Sequence, residues 1–246
     1  MKQLLAIILS TVCIHPLFAR TLIITDNAPT PSLLTRLQGE RTLHLSTFND
    51  KQHTIQIIDE GSDAPKYGNL SAALRHTNCI IGTNGGFFDK DSRMTPLGLL
   101  ITNGTIVSPI STNGFTSNGI LYSTGNQIHL KRRQNIHTSL QEIKQAIQSG
   151  PFLVENGRIV SGLNNNKTDT RTFIATDNAG NWCLGISTPI TLHELALWLT
   201  KINPGFKIKT ALNLDGGSSS TYQDRESNIY IRGIKRVRNY LGIKRK

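Results

Sequence analysis

The stretch Thr210-Ala211-Leu212-Asn213-Leu214-Asp215-Gly216-Gly217-Ser218-Ser219-Ser220 decides how the rest of the chain is read. Its first half reads as a strand, and a period of two puts Asn213 and Asp215 on the same face. Gly216 and Gly217 end that strand, and three hydroxyls follow. Two glycines leave the backbone bare for close approach by a ligand. A carboxylate in that position can serve as a nucleophile, a base or a metal ligand. An Asx turn capping the strand would use the same aspartate, but it does not account for so many small polar residues.

Working outward, the segment Thr172 to Thr176 reads as a strand, and Trp182 to Ser187 as its neighbour across a turn at Asp177 to Asn181. A polar loop, Asn164 to Thr170, leads into them. Arg171 sits at that strand mouth between two threonines, where a guanidinium can grip a phosphate in a bidentate manner. Thr191 with Glu194 forms a capping box before Leu192, Leu195, Ala196 and Leu199, so a helix follows, with Trp198 in core packing. Ser139 with Glu142 gives a second capping box, and Leu140, Ile143 and Ile147 then predict a helix stopped by Gly150 and Pro151.

Further upstream, an apolar strand from Cys79 to Thr83 runs into Asn84-Gly85-Gly86-Phe87-Phe88-Asp89. Asn84 offers both donors and acceptors to sugar hydroxyls or a phosphate. A short helix is predicted near Ser71 to His76. Thr42 to Thr47 and Thr54 to Ile58 predict an early hairpin. Strand pairs with segregated helices favour an α+β domain over residues 20–246: a mixed β-sheet, open or curled like half a barrel, with a few packed helices.

Composition sets the surroundings. With 27 Lys or Arg against 16 Asp or Glu, the 246-residue chain carries a formal charge of +11. Seven of the basic residues fall between Arg232 and Lys246, without a carboxylate among them. Lys2, an apolar run from Leu4 to Ile14, Pro16 and Ala19 match a secretory leader over residues 1–19. The expected location is therefore periplasmic or secreted. An anionic envelope polymer is the expected partner for the basic surface, rather than nucleic acid. No stretch approaches the roughly 20 apolar residues of a membrane span. Cys79 and Cys183 would remain after the leader, as a disulfide or as two buried thiols.

The order of these motifs resembles the phosphodiester glycosidase family. The N-G-G-F-F-D loop is followed by P-x-G at residues 96–98, S-G-P at 149–151, T-R-T at 170–172 and A-L-N-L-D-G-G-S-S-S at 211–220. The run Arg236 to Ile243 is similar to the family's closing basic strand. The resemblance implies hydrolysis of the bond between a sugar's anomeric carbon and a phosphate. On that basis Asp215 acts at the anomeric carbon as nucleophile or base. Arg171 holds the phosphate, with Thr172, Ser218, Ser219 and Ser220 as supporting donors. Asn84, Gly85 and Asn213 shape the pocket, Gly150, Gly216 and Gly217 border it, Arg236 adds charge, and Asp89 is a second carboxylate. No partnered pair of acids stands out, which suits a phosphate leaving group that needs little protonation. No cofactor is called for, although Asp215, Asn213 and Asp89 are oxygen donors suited to a divalent cation such as calcium. The competing reading is a non-catalytic binder of anionic polysaccharide that relies on the basic tail.

Overall fold

The computed structural model describes residues 20–25, 41–112, 114, 117–125 and 127–246. The expected leader, residues 1–19, lies outside them. In chain order the strands are β1 (Arg20–Thr25), β2 (Thr42–Asn49), β3 (His53–Asp59), β4 (Ile81–Asn84), β5 (Leu100–Thr102), β6 (Thr105–Ser108), β7 (Gly119–Thr124) and β8 (Gln127–Arg132). They continue as β9 (Ile143–Ser149), β10 (Phe152–Glu155), β11 (Arg158–Ile159), β12 (Thr172–Thr176), β13 (Asn181–Ser187), β14 (Thr210–Asn213), β15 (Tyr222–Asp224), β16 (Ile229–Ile231) and β17 (Asn239–Arg245). Two helices, α1 (Leu70–His76) and α2 (Leu192–Lys201), complete the α+β fold among the described residues.

Three sheets hold these strands, in the orders β1-β2-β13-β12-β14-β10-β11, β16-β15-β4-β17-β3 and β6-β5-β9-β7-β8. Among the described residues every strand pairing is antiparallel where a mixed sheet was expected, and no sheet closes into a barrel. One hydrophobic cluster draws on all three, with Ile57 of β3, Leu121 of β7, Ile147 of β9, Leu212 of β14 and Leu241 of β17 essentially without exposure. A second cluster packs α2, through Leu195, Ala196 and Leu199, onto the outer face of the first sheet. The Thr191–Glu194 capping box is present. Cys79 and Cys183 are buried free thiols.

Two expectations are corrected. β2 and β3 form, but they do not make a hairpin with each other: β2 lies between β1 and β13, and β3 pairs with β17. The turn in which Gln52 N donates to Asn49 O carries the chain from one sheet to the next. The helix expected after Ser139 is a single 3₁₀ turn, Leu140–Glu142, followed by strand β9. Its cap box has no side-chain cap bond. The physical reason is that a spacing of four is even, so Ile143 and Ile147 share a face in a strand as well as in a helix. β9 is also flanked by β5 and β7, and burial on both sides hides the strand alternation.

The strand assignment has a measurable consequence at Gln148. Its Oε1 accepts from Leu99 N (2.8 Å) and Ser111 N (2.9 Å), and its Nε2 donates to Ser111 O (2.7 Å) and Ser117 O (2.6 Å). Removing that amide leaves several buried groups without partners, each costing about 1–3 kcal/mol. Gln148→Ala should therefore lower stability by roughly 2–4 kcal/mol in urea unfolding. Lys144→Ala, at an exposed position on the same strand, should change it by no more than about 0.5 kcal/mol.

Candidate active site

The four motifs meet at one end of β14, and backbone bonds lock them together. Asn213 N donates to Pro151 O (3.0 Å), Leu214 N to Thr172 O (2.8 Å), Asp215 N to Gly85 O (3.0 Å) and Gly217 N to Thr170 O (2.8 Å). Segments far apart in sequence thus become successive layers of one floor.

Asn84, at the end of β4, ties that floor from below. Its Nδ2 donates to Asp215 O (2.7 Å), while its Oδ1 accepts from Thr172 Oγ1 (3.0 Å) and Thr221 N (3.1 Å). The side chain is completely buried. Asn84 therefore positions the Asp215 loop, with its amide turned into the floor. Asn239 of β17 braces the Asn84–Gly86 turn, accepting from Gly86 N (2.9 Å). Gly85 is required there, since an ideal Cβ would lie 2.0 Å from Asn239 Oδ1.

β14 stops at Asn213, so Asp215 lies two residues beyond the strand. Asp215 Oδ1 accepts from Gly216 N (2.8 Å), and the Ser219 side chain also hydrogen-bonds to the carboxylate. Burial nonetheless pushes its pKa up from the usual aspartate range, and the nearby charge of Asp169 adds to that rise. Asp169 is the residue that motif reading missed. An ideal Cβ on Gly217, whose φ is +62°, would sit 2.9 Å from Asp169 Oδ1. Asp169 also faces Lys167, with Nζ and Oδ2 3.7 Å apart. The two carboxylates therefore flank the same double-glycine turn, contrary to the expectation of no acid pair. The available signal was the spacing of two between Asp169 and Arg171, which a strand edge places on one side.

Arg171 stands at the expected place but with much of its guanidinium engaged. Nε donates to Ile190 O (3.0 Å) and Nη2 to Lys167 O (2.7 Å). Nη1 points towards Gly216, about 4.0 Å from where a Cβ would be. Burial pushes the pKa of the Arg171 guanidinium down, and the charge of Asp169 opposes that effect. Thr172 is buried beneath the floor, its Oγ1 3.2 Å from Ser220 Oγ, and Ser220 Oγ donates to Thr170 O (3.3 Å).

The remaining expected residues divide between floor and periphery. Asn213 Nδ2 donates to Gly150 O (3.0 Å) and Leu214 O (2.7 Å). Its Oδ1 and the neighbouring Ser149 Oγ are buried without a partner among the described residues. Ser218 accepts Lys235 N (3.0 Å) at its carbonyl, which joins the site to the basic segment before β17. Arg236 reaches Gly61 O (3.2 Å) instead of Asp215. Asp89 is exposed and caps its own turn by accepting from Lys90 N (2.7 Å). The oxygen set Asp215, Asn213 and Asp89 is accordingly not gathered as a cation cage. Among the described residues, no group of three or more His, Cys, Asp or Glu converges elsewhere.

A larger cavity, about 390 Å³, opens beyond the other ends of β12 and β14, between Asp50, Lys131, Arg132, Trp182 and Thr210. None of the motif loops reaches it. Among the described residues no helix is long and apolar enough to cross a membrane.

Comparison with known proteins matches these loops to a group. The family model for phosphodiester glycosidases matches residues 77–244. The chain is 27% identical over 195 residues to the uncharacterised protein YigE of Escherichia coli strain K12, covering 74% of each. Its fold is similar to the catalytic domain of zebrafish N-acetylglucosamine-1-phosphodiester α-N-acetylglucosaminidase, solved auto-inhibited by its pro-peptide, with TM-score 0.70 at 16% identity over 95% of this chain and 85% of that one. A hypothetical protein from Synechocystis gives TM-score 0.59 at 17% identity, over 83% of this chain and 59% of that one.

The buried carboxylate has a stability signature. Because the folded state raises the Asp215 pKa, it holds the proton more tightly than the unfolded chain does. The associated stability is present below the ordinary aspartate range and lost as pH rises through the raised value. Asp215→Asn, which removes the ionisation, should melt at a higher temperature than the native chain at pH 7. The difference should shrink towards zero when both are melted below the ordinary aspartate range. A mutant no more stable at pH 7 would contradict the assignment of Asp215 as a desolvated acid.

Proposed function

The chain belongs to the phosphodiester glycosidase family, and from that premise we propose that it hydrolyses the bond between a sugar's anomeric carbon and a phosphate oxygen. The observation that carries this reading is the Asp215–Asp169 pair on one glycine turn, with Arg171 beside it. Asp215 acts as the base that takes a proton from water as the water attacks the anomeric carbon. The C–O bond to phosphate breaks, its electron pair leaves on the phosphate oxygen, and the sugar gains the hydroxyl. Burial and the charge of Asp169 make Asp215 a stronger base than a solvated aspartate.

The leaving group is a phosphate monoester whose departing oxygen is already a weak base. It needs its charge held more than it needs a proton. The Nη1 edge of Arg171 and the Ser218–Ser219 segment supply donors on that side. An exported setting, with an envelope or exopolysaccharide glycan as substrate, is supported by the leader-like start and by the formal charge of +11.

Hydrolysis of a sugar 1-(nitrophenyl phosphate) diester in ¹⁸O water tests the bond that breaks. The expected products are free sugar carrying the label and unlabelled nitrophenyl phosphate. Label in the phosphate would assign phosphorus attack and overturn the reading, as would binding of anionic polysaccharide with no turnover on a broad panel. Asp215→Asn should lower kcat/KM by about 10²–10⁴-fold. The acid limb of the kcat/KM profile should lie above the ordinary aspartate range, and Asp169→Asn should move it to lower pH by removing the repelling charge. An unmoved limb would remove Asp169 from its tuning role.

A further inference from the structure

A cavity of about 160 Å³ lies behind the catalytic loop, lined among others by Thr221, Tyr230, Arg232, Lys235, Arg236 and Tyr240. No Asp or Glu lines it. Its wall is bonded directly to the serine run that follows Asp215. Ile234 N and Lys235 N donate to Ser218 O at 3.2 and 3.0 Å. An ideal Cβ on Gly233 would lie 3.4 Å from Ser220 O and 3.5 Å from Ser219 O. The cavity is thus the next recess along the surface from the carboxylate pair, separated from it by one chain segment.

Its donors are free of ion pairs among the described residues, although Arg236 Nη2 also reaches Gly61 O and Ser62 O. Arg232 and Lys235 are exposed, and Arg236 Nε is buried without a partner among the described residues. Burial pushes the Tyr240 phenol up, so it stays protonated and able to donate. Glu60, whose charge also acts on Tyr240, sits outside the lining and turns one oxygen to the amides of Tyr67 (3.1 Å) and Gly68 (3.2 Å). Neither Lys235 nor Arg236 has a carboxylate ion-pair partner among the described residues.

We propose that this cavity is a subsite for a second phosphate group of the substrate, next to the one at the scissile bond; this rests on the reaction proposed above. A phosphate whose C–O bond is being broken must lie against the reacting carbon beside Asp215. The Ser218–Thr221 segment keeps the basic recess out of reach of that same group. An anion in the recess would meet three cations and no lining acid, and guanidinium forks suit phosphate oxygens. The preferred substrate is therefore a polyanion with phosphates on neighbouring units, and the recess reads the charge beside the cleaved bond.

Titration of the full chain with inorganic phosphate in a calorimeter tests the site without turnover. Saturable binding is expected, weakened about tenfold or more in Arg232→Ala/Lys235→Ala, from the loss of two charged donors. It should be preserved in Lys51→Ala/Lys201→Ala, which removes the same charge from exposed positions elsewhere. Equal affinity in both double variants, or no saturable binding in the native chain, overturns the subsite. In kinetics, the ratio of kcat/KM for a diester with a second phosphate on the acceptor to one without should fall about tenfold in the Arg232/Lys235 variant. If phosphate binding behaves as expected while no diester is cleaved, the subsite stands and the reaction assignment fails. If diesters are cleaved with the same preference by both proteins, the reaction stands and the subsite fails.

Discussion

The hydrogen bond from Asn84 Nδ2 to the carbonyl of Asp215, 2.7 Å long and fully buried on the Asn84 side, is the constraint on which the site depends. An amide is the one side-chain group that presents donors and an acceptor in a single plane. Its oxygen collects Thr172 and Thr221, and its nitrogen holds the loop that carries the carboxylate. An aspartate there would set an acceptor against the Asp215 carbonyl. A leucine would strand the Thr221 amide, at about 1–3 kcal/mol for a buried group without a partner. The bond that Thr172 Oγ1 donates to Asn84 Oδ1 links two sheets, because Asn84 ends β4 whereas Thr172 begins β12. Sheet packing and site geometry are therefore one problem.

Holding Asp215 in that floor works against the fold. A carboxylate taken largely out of water, with a second negative charge beside it, is carried at a cost that the Gly216 amide and the Ser219 hydroxyl only partly offset. Arg171 stands close by, yet its recorded bonds go to the carbonyls of Ile190 and Lys167. That arrangement keeps the cation near without an ion pair that would quench the base. The loop from Lys167 to Arg171 is therefore a rigid bracket, closed by its own arginine, that presents Asp169 to the glycine turn.

Three of the four loops were legible because each combines glycine with a small polar group, a pattern that simple turns do not need, and the fourth because Arg171 stands between two threonines at a strand mouth. Thr191–Glu194 was legible for the same reason, since a capping box satisfies two orphan amides at once. The region from Ser139 to Gly150 was not, because a spacing of four serves both periodicities and burial on both faces of β9 erased the alternation. The pairing of β2 and β3 was also hidden: strand propensity is local, whereas the choice of neighbour is made by the shared core. Asn84 could be recognised as polar and near the site, but whether its amide faces substrate or floor depends on Thr172 and Thr221, which lie 88 and 137 residues away. Asp169 was overlooked because its partner is 46 positions downstream by number and close only through the Thr170–Gly217 bond.

The placement of the two acids also bears on which bond suits this site. In ordinary glycosidases the carboxyl groups stand on opposite sides of the glycosidic bond, one to donate a proton and one to attack or to activate water. Here both contact the same Gly216–Gly217 turn, Asp215 through the Gly216 amide and Asp169 through the space that a Gly217 side chain would fill. Acids that share a turn adjust each other's proton affinity and leave the far side of a substrate without a proton donor of their own. An alkoxide leaving group would suffer from that lack. A phosphate would not, because its charge can be met by guanidinium, hydroxyl and backbone donors. The geometry that is poor for cleaving a plain glycoside is thus adequate for a glycosyl phosphate, and the proposed subsite beyond the serine run would extend the same logic to a neighbouring phosphate.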